Sequence, residues 1–213
     1  PNMVDPRFRP AAHDIDGADS SVLRPFRWLN VAILTEKKGH LDLLQAFAEA
    51  FRGNRGHELR IGGDGPLREK LIAHAAALGI AEQVRFLGEL DRSEVLAEMQ
   101  HCDAFVLPSH VETFGVVLIE AMACGKPVIA TRSGGPECIV NRTNGILVPP
   151  RSPSAFAAAM RECSDDYLRF PSLTISDDCL RQFSGEAVAR QLRTIYRRTL
   201  KTADTNQNVS DDV

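Results

Sequence analysis

Short apolar runs alternate with longer stretches of helical spacing along most of the chain. The runs "WLNVAIL" (28–34), "ELRIGG" (58–63), "VRFLG" (84–88), "AFVLP" (104–108), "PVIAT" (127–131) and "GILVPP" (145–150) read as strands. They are apolar throughout rather than alternating, as expected where helices cover both faces of a sheet. Between them, 38–53 puts Leu44, Phe47, Ala48 and Phe51 on one helical face, with Gly53 as a stop. The stretch 64–79 puts Pro66 in a first helical turn, Leu67, Leu71, Ala75 and Leu78 on a face, and Gly79 at the end. Asp91 and Glu94 form a capping box for a helix carrying Val95, Leu96 and Met99. A helix over 114–123 is apolar around most of its surface. Ser152 and Pro153 open a short alanine-rich helix, and a last helix sets Val188, Leu192, Ile195 and Tyr196 on one side.

Strand and helix alternate about six times, which predicts an α/β fold: a doubly wound, Rossmann-like domain with a parallel sheet of about six strands over 28–201. Residues 1–27 are rich in Pro, Asp and Arg without periodicity and read as an interdomain linker. Residues 202–213 are polar and read as a disordered tail. Ligands in such sheets sit beyond the carboxyl ends of the strands. A site is therefore expected among the loops 35–39, 62–66, 88–91, 108–115 and 131–136.

Composition narrows the function classes. A hydrophobic fraction of 44% and a charged fraction of 25% are those of a soluble globular chain. The net charge of −3, with no basic stripe among aromatics, argues against nucleic acid as a partner. No apolar run has membrane-spanning length and the start has no signal-peptide pattern, which leaves peripheral membrane contact of a full-length protein open. The first residue is Pro1 rather than Met, so a piece of a longer chain is expected. The five cysteines are odd in number and form no CxxC pair, which fits a reducing cytoplasm and gives no disulfide framework. The six histidines are scattered and no HExxH occurs, so no protein-held metal and no cofactor are expected.

Candidate chemistry centres on one carboxylate. Glu120 lies among Leu118, Ile119, Ala121 and Met122, with no other charged residue between Phe114 and Cys124. A polar face turned to water, or a local Arg or Lys partner, are the plainer explanations. A solvated face normally carries more than one charge, however, and burying an unpaired carboxylate costs several kcal/mol. A ribose diol is one donor that would meet it, since an acidic residue is the usual ribose clamp of nucleotide folds. Glu112 stands in the loop before the same helix, near its positive end, where the macrodipole stabilises a carboxylate. The amides of Phe114, Gly115 and Val116 can receive an anion there. Lys38, at the end of the loop after the first strand, is the candidate cation for a diphosphate; a solvated surface lysine is the plainer reading of it. "GGDGP" at 62–66 and "SGGPECI" at 133–139 are weak signals that any tight turn could use. Together these residues point to a nucleoside diphosphate sugar.

The E-x7-E spacing of Glu112 and Glu120 within "SHVETFGVVLIEAMACGKPVIAT" is followed by "GGPECIV" and "NGILVPP" and preceded by "KKGHLDLLQAF" and "IGGDGPLREKL". These ordered blocks closely resemble the carboxy-terminal donor-binding domain of retaining glycosyltransferases of family 4, which have the GT-B fold. "PNMVDPRFRP" resembles the family's interdomain hinge, so an amino-terminal acceptor-binding domain is expected upstream. The resemblance implies that Lys38 binds the donor diphosphate, Glu112 contacts the donor sugar, and Glu120 holds the ribose. It makes Lys38 and Glu112 the catalytic candidates. It further implies that the amides of Phe114, Gly115 and Val116 hold sugar or phosphate, that the base packs near Leu90, and that no protein-held metal is used. One departure stands out. The family's Gly-Arg near the end of the first strand is Ala32-Ile33 here, and Arg132 is the candidate substitute for the missing cation. A dinucleotide oxidoreductase would need G-x-G-x-x-G where the chain has "TEKKGH". A degenerate nucleotide-binding module and a nucleotide-sugar epimerase on the same fold are the alternatives.

Overall fold

The computed structural model of the chain describes residues 2–11 and 24–207. Six strands form one parallel sheet: β1 (Phe26–Val31), β2 (His57–Gly62), β3 (Val84–Gly88), β4 (Ala104–Leu107), β5 (Val128–Thr131) and β6 (Gly145–Val148). Their spatial order is β3-β2-β1-β4-β5-β6. Every pairing is parallel, from Phe26 against His57 to Thr131 against Val148. The sheet grows outward from β1 through β2 to β3, then returns to the other side of β1 with β4. The reversal places a topological switch point between β1 and β4, where the loops diverge and open a crevice.

Seven helices cover the sheet among the described residues: α1 (His40–Phe51), α2 (Arg68–Ala77), α3 (Arg92–His101), α4 (Val116–Ala123), α5 (Pro153–Asp165), α6 (Ser172–Phe183) and α7 (Gly185–Gln207). The strands β4 and β5 are buried at every position, as their continuous apolar runs require. Trp28, Phe47 and Phe105 are the bulkiest core side chains of β1, α1 and β4, and each has no exposed surface. A full burial of this kind contributes roughly 1.5–3 kcal/mol per side chain. The predicted capping box of α3 forms: Asp91 Oδ1 accepts from the Ser93 and Glu94 amides at 2.7 and 2.9 Å, and Glu94 accepts from the Asp91 amide at 2.7 Å.

Several boundaries differ from expectation, each for a local reason. Strand β1 ends at Val31 rather than at 34, because Ala32, Leu34 and Thr35 turn their amides to Gly62, Asp64 and Ile33 carbonyls. Helix α2 starts at Arg68, so Pro66 lies in the turn before it. Helix α6 has no counterpart in the expected elements, because its buried face, Ile175, Ser176 and Cys179, is only partly apolar. Helix α7 runs to Gln207, past the expected start of a tail, and residues 208–213 lie outside the described residues. Val188 is buried on α7, but Ile195 and Tyr196 of its expected apolar side are exposed.

The expected linker is not a free tether where it is described. Val4 and Phe8 are buried in the same core as the sheet, and the Val4 amide donates to Phe183 O at 2.9 Å. The remaining stretch, 12–23, lies outside the described residues. Among the described residues no helix is long and apolar enough to cross a membrane.

Candidate functional site

The crevice at the switch point is built by three loops that follow β1, β4 and β5. After β1 a short turn over Glu36–Lys38 presents Lys38, and Gly39 enters α1 with φ of 69°. A Cβ at Gly39 would fall 2.1 Å from Pro108 O, so only glycine lets this loop pass the end of β4. The His110 amide donates to Lys37 O at 2.8 Å, and His110 Nε2 lies 2.8 Å from Asp42 Oδ2, fastening the β4 loop to the start of α1. The loop after β5 braces the other side. The Glu112 amide donates to Ser133 O at 3.0 Å, and the Gly135 amide donates to Glu112 O at 2.8 Å. Glu112 is thus fixed through its backbone while its side chain turns inward.

Lys38 Nζ and Glu112 Oε2 meet at 2.7 Å, both largely shielded from solvent. They line a cavity of about 400 Å³ with Val31, Ile33, Phe114, Gly115 and Val116. Gly115 precedes α4 with φ of 91°, and no side chain caps the helix, which leaves its first amides open to an anion. Five of the predicted residues, Lys38, Glu112, Phe114, Gly115 and Val116, therefore share one cleft.

Leu90 and Glu120 are not in that lining. Leu90 sits at its margin: its Cδ1 lies 2.6 Å from where a Gly62 Cβ would be, with Val31 Cγ2 3.5 Å from the same point. Glu120 is one turn beyond Val116 on α4 and only 2% exposed. It has a partner that lies outside its own segment: Arg92 Nη1, at the start of α3, is 2.7 Å from Glu120 Oε1. The approach is an ion pair of poor hydrogen-bond geometry. Burial raises the Glu120 pKa above the ordinary carboxylate value, and Arg92 opposes that rise. A cation does pair with Glu120, but Arg92 supplies it from the β3 loop edge rather than from nearby sequence.

Ile33 is 58% exposed in the cleft wall where the resemblance expects an arginine. Arg132 does not replace it. It lines a different cavity of about 690 Å³ beside β6, with Arg142, Glu162 and Arg169. A cavity of about 900 Å³ lies near Pro25, His57 and Gln83, which mark the amino-terminal ends of β1, β2 and β3. Its size does not make it the candidate, because ligands of open parallel sheets bind at the opposite edge. Among the described residues no three His, Cys, Asp or Glu side chains stand together as a metal site. Sequence reading missed Asn2, which reaches the cleft from the amino-terminal segment, and Arg92. Arg92 lies one residue past the loop 88–91, directly after the capping-box Asp91, and that position is its signal in the sequence.

Comparison with known proteins assigns the family and the fold. The family model for glycosyl transferases group 1 matches residues 20–172. A glycogen synthase of Mycobacterium tuberculosis is 38% identical over 143 residues, covering 67% of this chain and 34% of that protein. Sucrose-phosphate synthase from Thermosynechococcus elongatus superposes with a TM-score of 0.78 at 27% identity, covering 95% of this chain and 52% of that one. Anabaena HepE, solved in complex with UDP, superposes with a TM-score of 0.77 at 24% identity, covering 90% of this chain and 54% of that one, a likeness of fold. The chain thus spans between a third and about half of these proteins. On the family match over most of its length, the chain belongs to the glycosyl transferases group 1 family and is a GT-B glycosyltransferase carboxy-terminal domain.

Proposed function

We propose that this domain binds the nucleoside diphosphate sugar of a retaining hexosyltransferase whose acceptor is held by an amino-terminal domain of the same protein. The observation that carries the reading is the Lys38–Glu112 pair at the switch-point cleft, beside the uncapped start of α4. In this reading the diphosphate takes Lys38 from Glu112 and rests on the α4 amides. Glu112 is released toward the sugar, Glu120 meets the ribose, and the base packs near Leu90. Negative charge builds on the diphosphate as the glycosidic bond to it breaks. A preorganised lysine and helix dipole stabilise that charge without a protein-held metal. HepE, which has the same fold and was solved with UDP, supports a nucleotide donor.

Calorimetry with UDP, GDP and ADP tests the reading. One of them binds, and the chain without its acceptor domain transfers no sugar. Ile33 favours a second reading, a nucleotide-binding module without turnover, since Lys38 is the single cation of the cleft lining among the described residues. No binding of any of the three by the folded chain would overturn the donor assignment.

A further inference from the structure

Three parts of the chain converge on one guanidinium. Arg92 opens α3, Glu120 belongs to α4, and Asp5 and Phe8 belong to the amino-terminal segment. Arg92 Nη1 lies 2.7 Å from Glu120 Oε1, its Nε lies 3.7 Å from Asp5 Oδ2, and its Cζ stands 4.8 Å from the Phe8 ring centre. Phe8 is fully buried, and its segment is tied down on both sides. The Val4 amide donates to Phe183 O, and Gln100 Nε2 donates to Arg9 O at 3.0 Å. The platform under Arg92 is therefore fixed.

The ion pair is lopsided. Glu120 is 2% exposed and the Arg92 side chain 50%. A carboxylate so deeply placed is driven toward its neutral form by desolvation unless a cation stands against it. Among the described residues Arg92 is that cation. Asp5 faces the same carboxylate and acts the other way, and Arg7 is engaged with Asp5 at 2.8 Å. From α6, Ser176 and Cys179 direct their hydrogen bonds to the Ala123 and Ile119 carbonyls, leaving the carboxylate alone. Strands β4 and β5, beside α4, contribute no ionisable side chain, being Ala104–Leu107 and Val128–Thr131. Arg92 Nη1 stands 2.7 Å from Oε1 in a contact of poor hydrogen-bond geometry, and its charge opposes neutralisation of the carboxylate. A buried carboxylate held charged by a single ion pair keeps capacity to accept from a hydroxyl that arrives with a ligand.

We propose that Arg92 is a positioning residue of the nucleotide site: it keeps the Glu120 carboxylate charged and available to the ribose diol, and the amino-terminal segment keeps Arg92 in place. The proposal rests on the donor reading given above. It adds that a residue outside the cleft lining sets the acid limit of nucleotide binding, and that the segment joining this domain to upstream sequence bears on that limit.

The test follows Glu120 with and without ligand. Carbon-13 NMR of the glutamate Cδ, with Glu120→Gln to identify the resonance, gives the titration midpoint in wild type, Arg92→Met and Arg92→Lys. Calorimetry from pH 5 to 9 with the nucleoside diphosphate bound by wild type gives the affinity. In Arg92→Met the midpoint moves up by about one pH unit or more, as loss of an adjacent opposite charge requires. Nucleotide affinity falls at the acidic end, by up to about tenfold per unit of midpoint shift, and recovers toward pH 9. Arg92→Lys restores both. Arg92→Gln carries the same readout if Arg92→Met does not fold. An unchanged midpoint, or tighter nucleotide binding at every pH, would overturn the proposal, the second result making Arg92 a competitor for the carboxylate. If wild type binds no nucleotide, the donor reading falls, while the Glu120 titration still decides whether Arg92 holds that carboxylate charged.

Discussion

Lys38 and Glu112 meet 2.7 Å apart although one follows β1 and the other follows β4. The contact exists because β1 and β4 are neighbours at the point where the sheet reverses direction. Each side chain is the other's ion-pair partner. A diphosphate would replace the carboxylate on Lys38 and free Glu112.

Lys38→Met is therefore expected to weaken nucleoside diphosphate binding by roughly 10- to 100-fold, the equivalent of losing a hydrogen bond to a charged group, about 1.5–3 kcal/mol. The corresponding nucleoside, which has no phosphate to present, should bind as before. Calorimetry with both ligands separates the outcomes, and an equal loss for both would place Lys38 away from the phosphates.

Ile33→Arg is expected to tighten diphosphate binding. The side chain already projects into the cleft wall and is 58% exposed, so an arginine there needs no burial. At such an exposed position the gain is modest, about 1 kcal/mol or roughly fivefold, and it shrinks as salt screens it. Affinity measured at two ionic strengths checks both parts. A variant indifferent to salt and no tighter than wild type would show that the phosphates do not pass Ile33.

How far the sequence reached depended on whether a feature is local. The central strands were legible because a parallel strand buried on both faces is nearly continuous in apolar residues, as β4 and β5 are; β2 and β3, nearer the edge, carry Glu58, Arg60 and Arg85 and were legible from the apolar residues between those charges. The α3 cap was legible because Asp91 and Glu94 are three residues apart and bond each other's backbone. Of the site, Lys38, Glu112 and Phe114 to Val116 were legible from loops that the topology had to bring to one edge. What escaped was tertiary. Helix α6 turns Ser176 and Cys179 toward α4, and their side chains bond the Ala123 and Ile119 carbonyls, so its buried face reads as polar. Val4 and Phe8 are two apolar residues in a proline-rich stretch with no period, and only the packed core makes use of them. The partner of Glu120 is absent from 114–124 and comes from α3 across the fold.

Gly135 offers a steric test of the same site. A Cβ there would come within 2.3 Å of Phe114 Cα and 2.5 Å of Phe114 N and O, all backbone atoms without freedom to yield. Gly135→Ala must push aside the loop that carries Glu112 and Phe114, at a cost of about 1–3 kcal/mol typical of overpacking. Nucleotide binding should fall with it. Gly53→Ala is the comparison: nothing lies within 4 Å of its Cβ. It bears only the left-handed backbone cost of about 1–2 kcal/mol and should bind nucleotide as wild type does. Urea unfolding and calorimetry on the two variants would reveal a loop that is not part of the site if both bind alike.

His40 gives the fold a pH dependence of its own. It is 1% exposed at the start of α1, and neither ring nitrogen makes a hydrogen bond of good geometry among the described residues. Burial lowers its pKa from 6.5 to about 4; the nearby Thr35 backbone pulls the other way, and the Lys38 charge adds to the drop. The unfolded chain then binds a proton at this position below pH 6.5 while the folded chain refuses it until about 4. Stability from this group is fully present above 6.5 and is lost as the pH falls toward 4, by about 3 kcal/mol in all. Glu120 has the opposite sign: its raised pKa makes the folded chain hold a proton longer, so acid relieves rather than adds to its cost. His40→Leu removes one term and leaves the other. Unfolding free energies from urea titrations at pH 7 and pH 4 should therefore differ by about 3 kcal/mol less in His40→Leu than in wild type. Equal differences in the two proteins would mean that His40 is protonated in the folded state and that the acid sensitivity of the domain lies elsewhere.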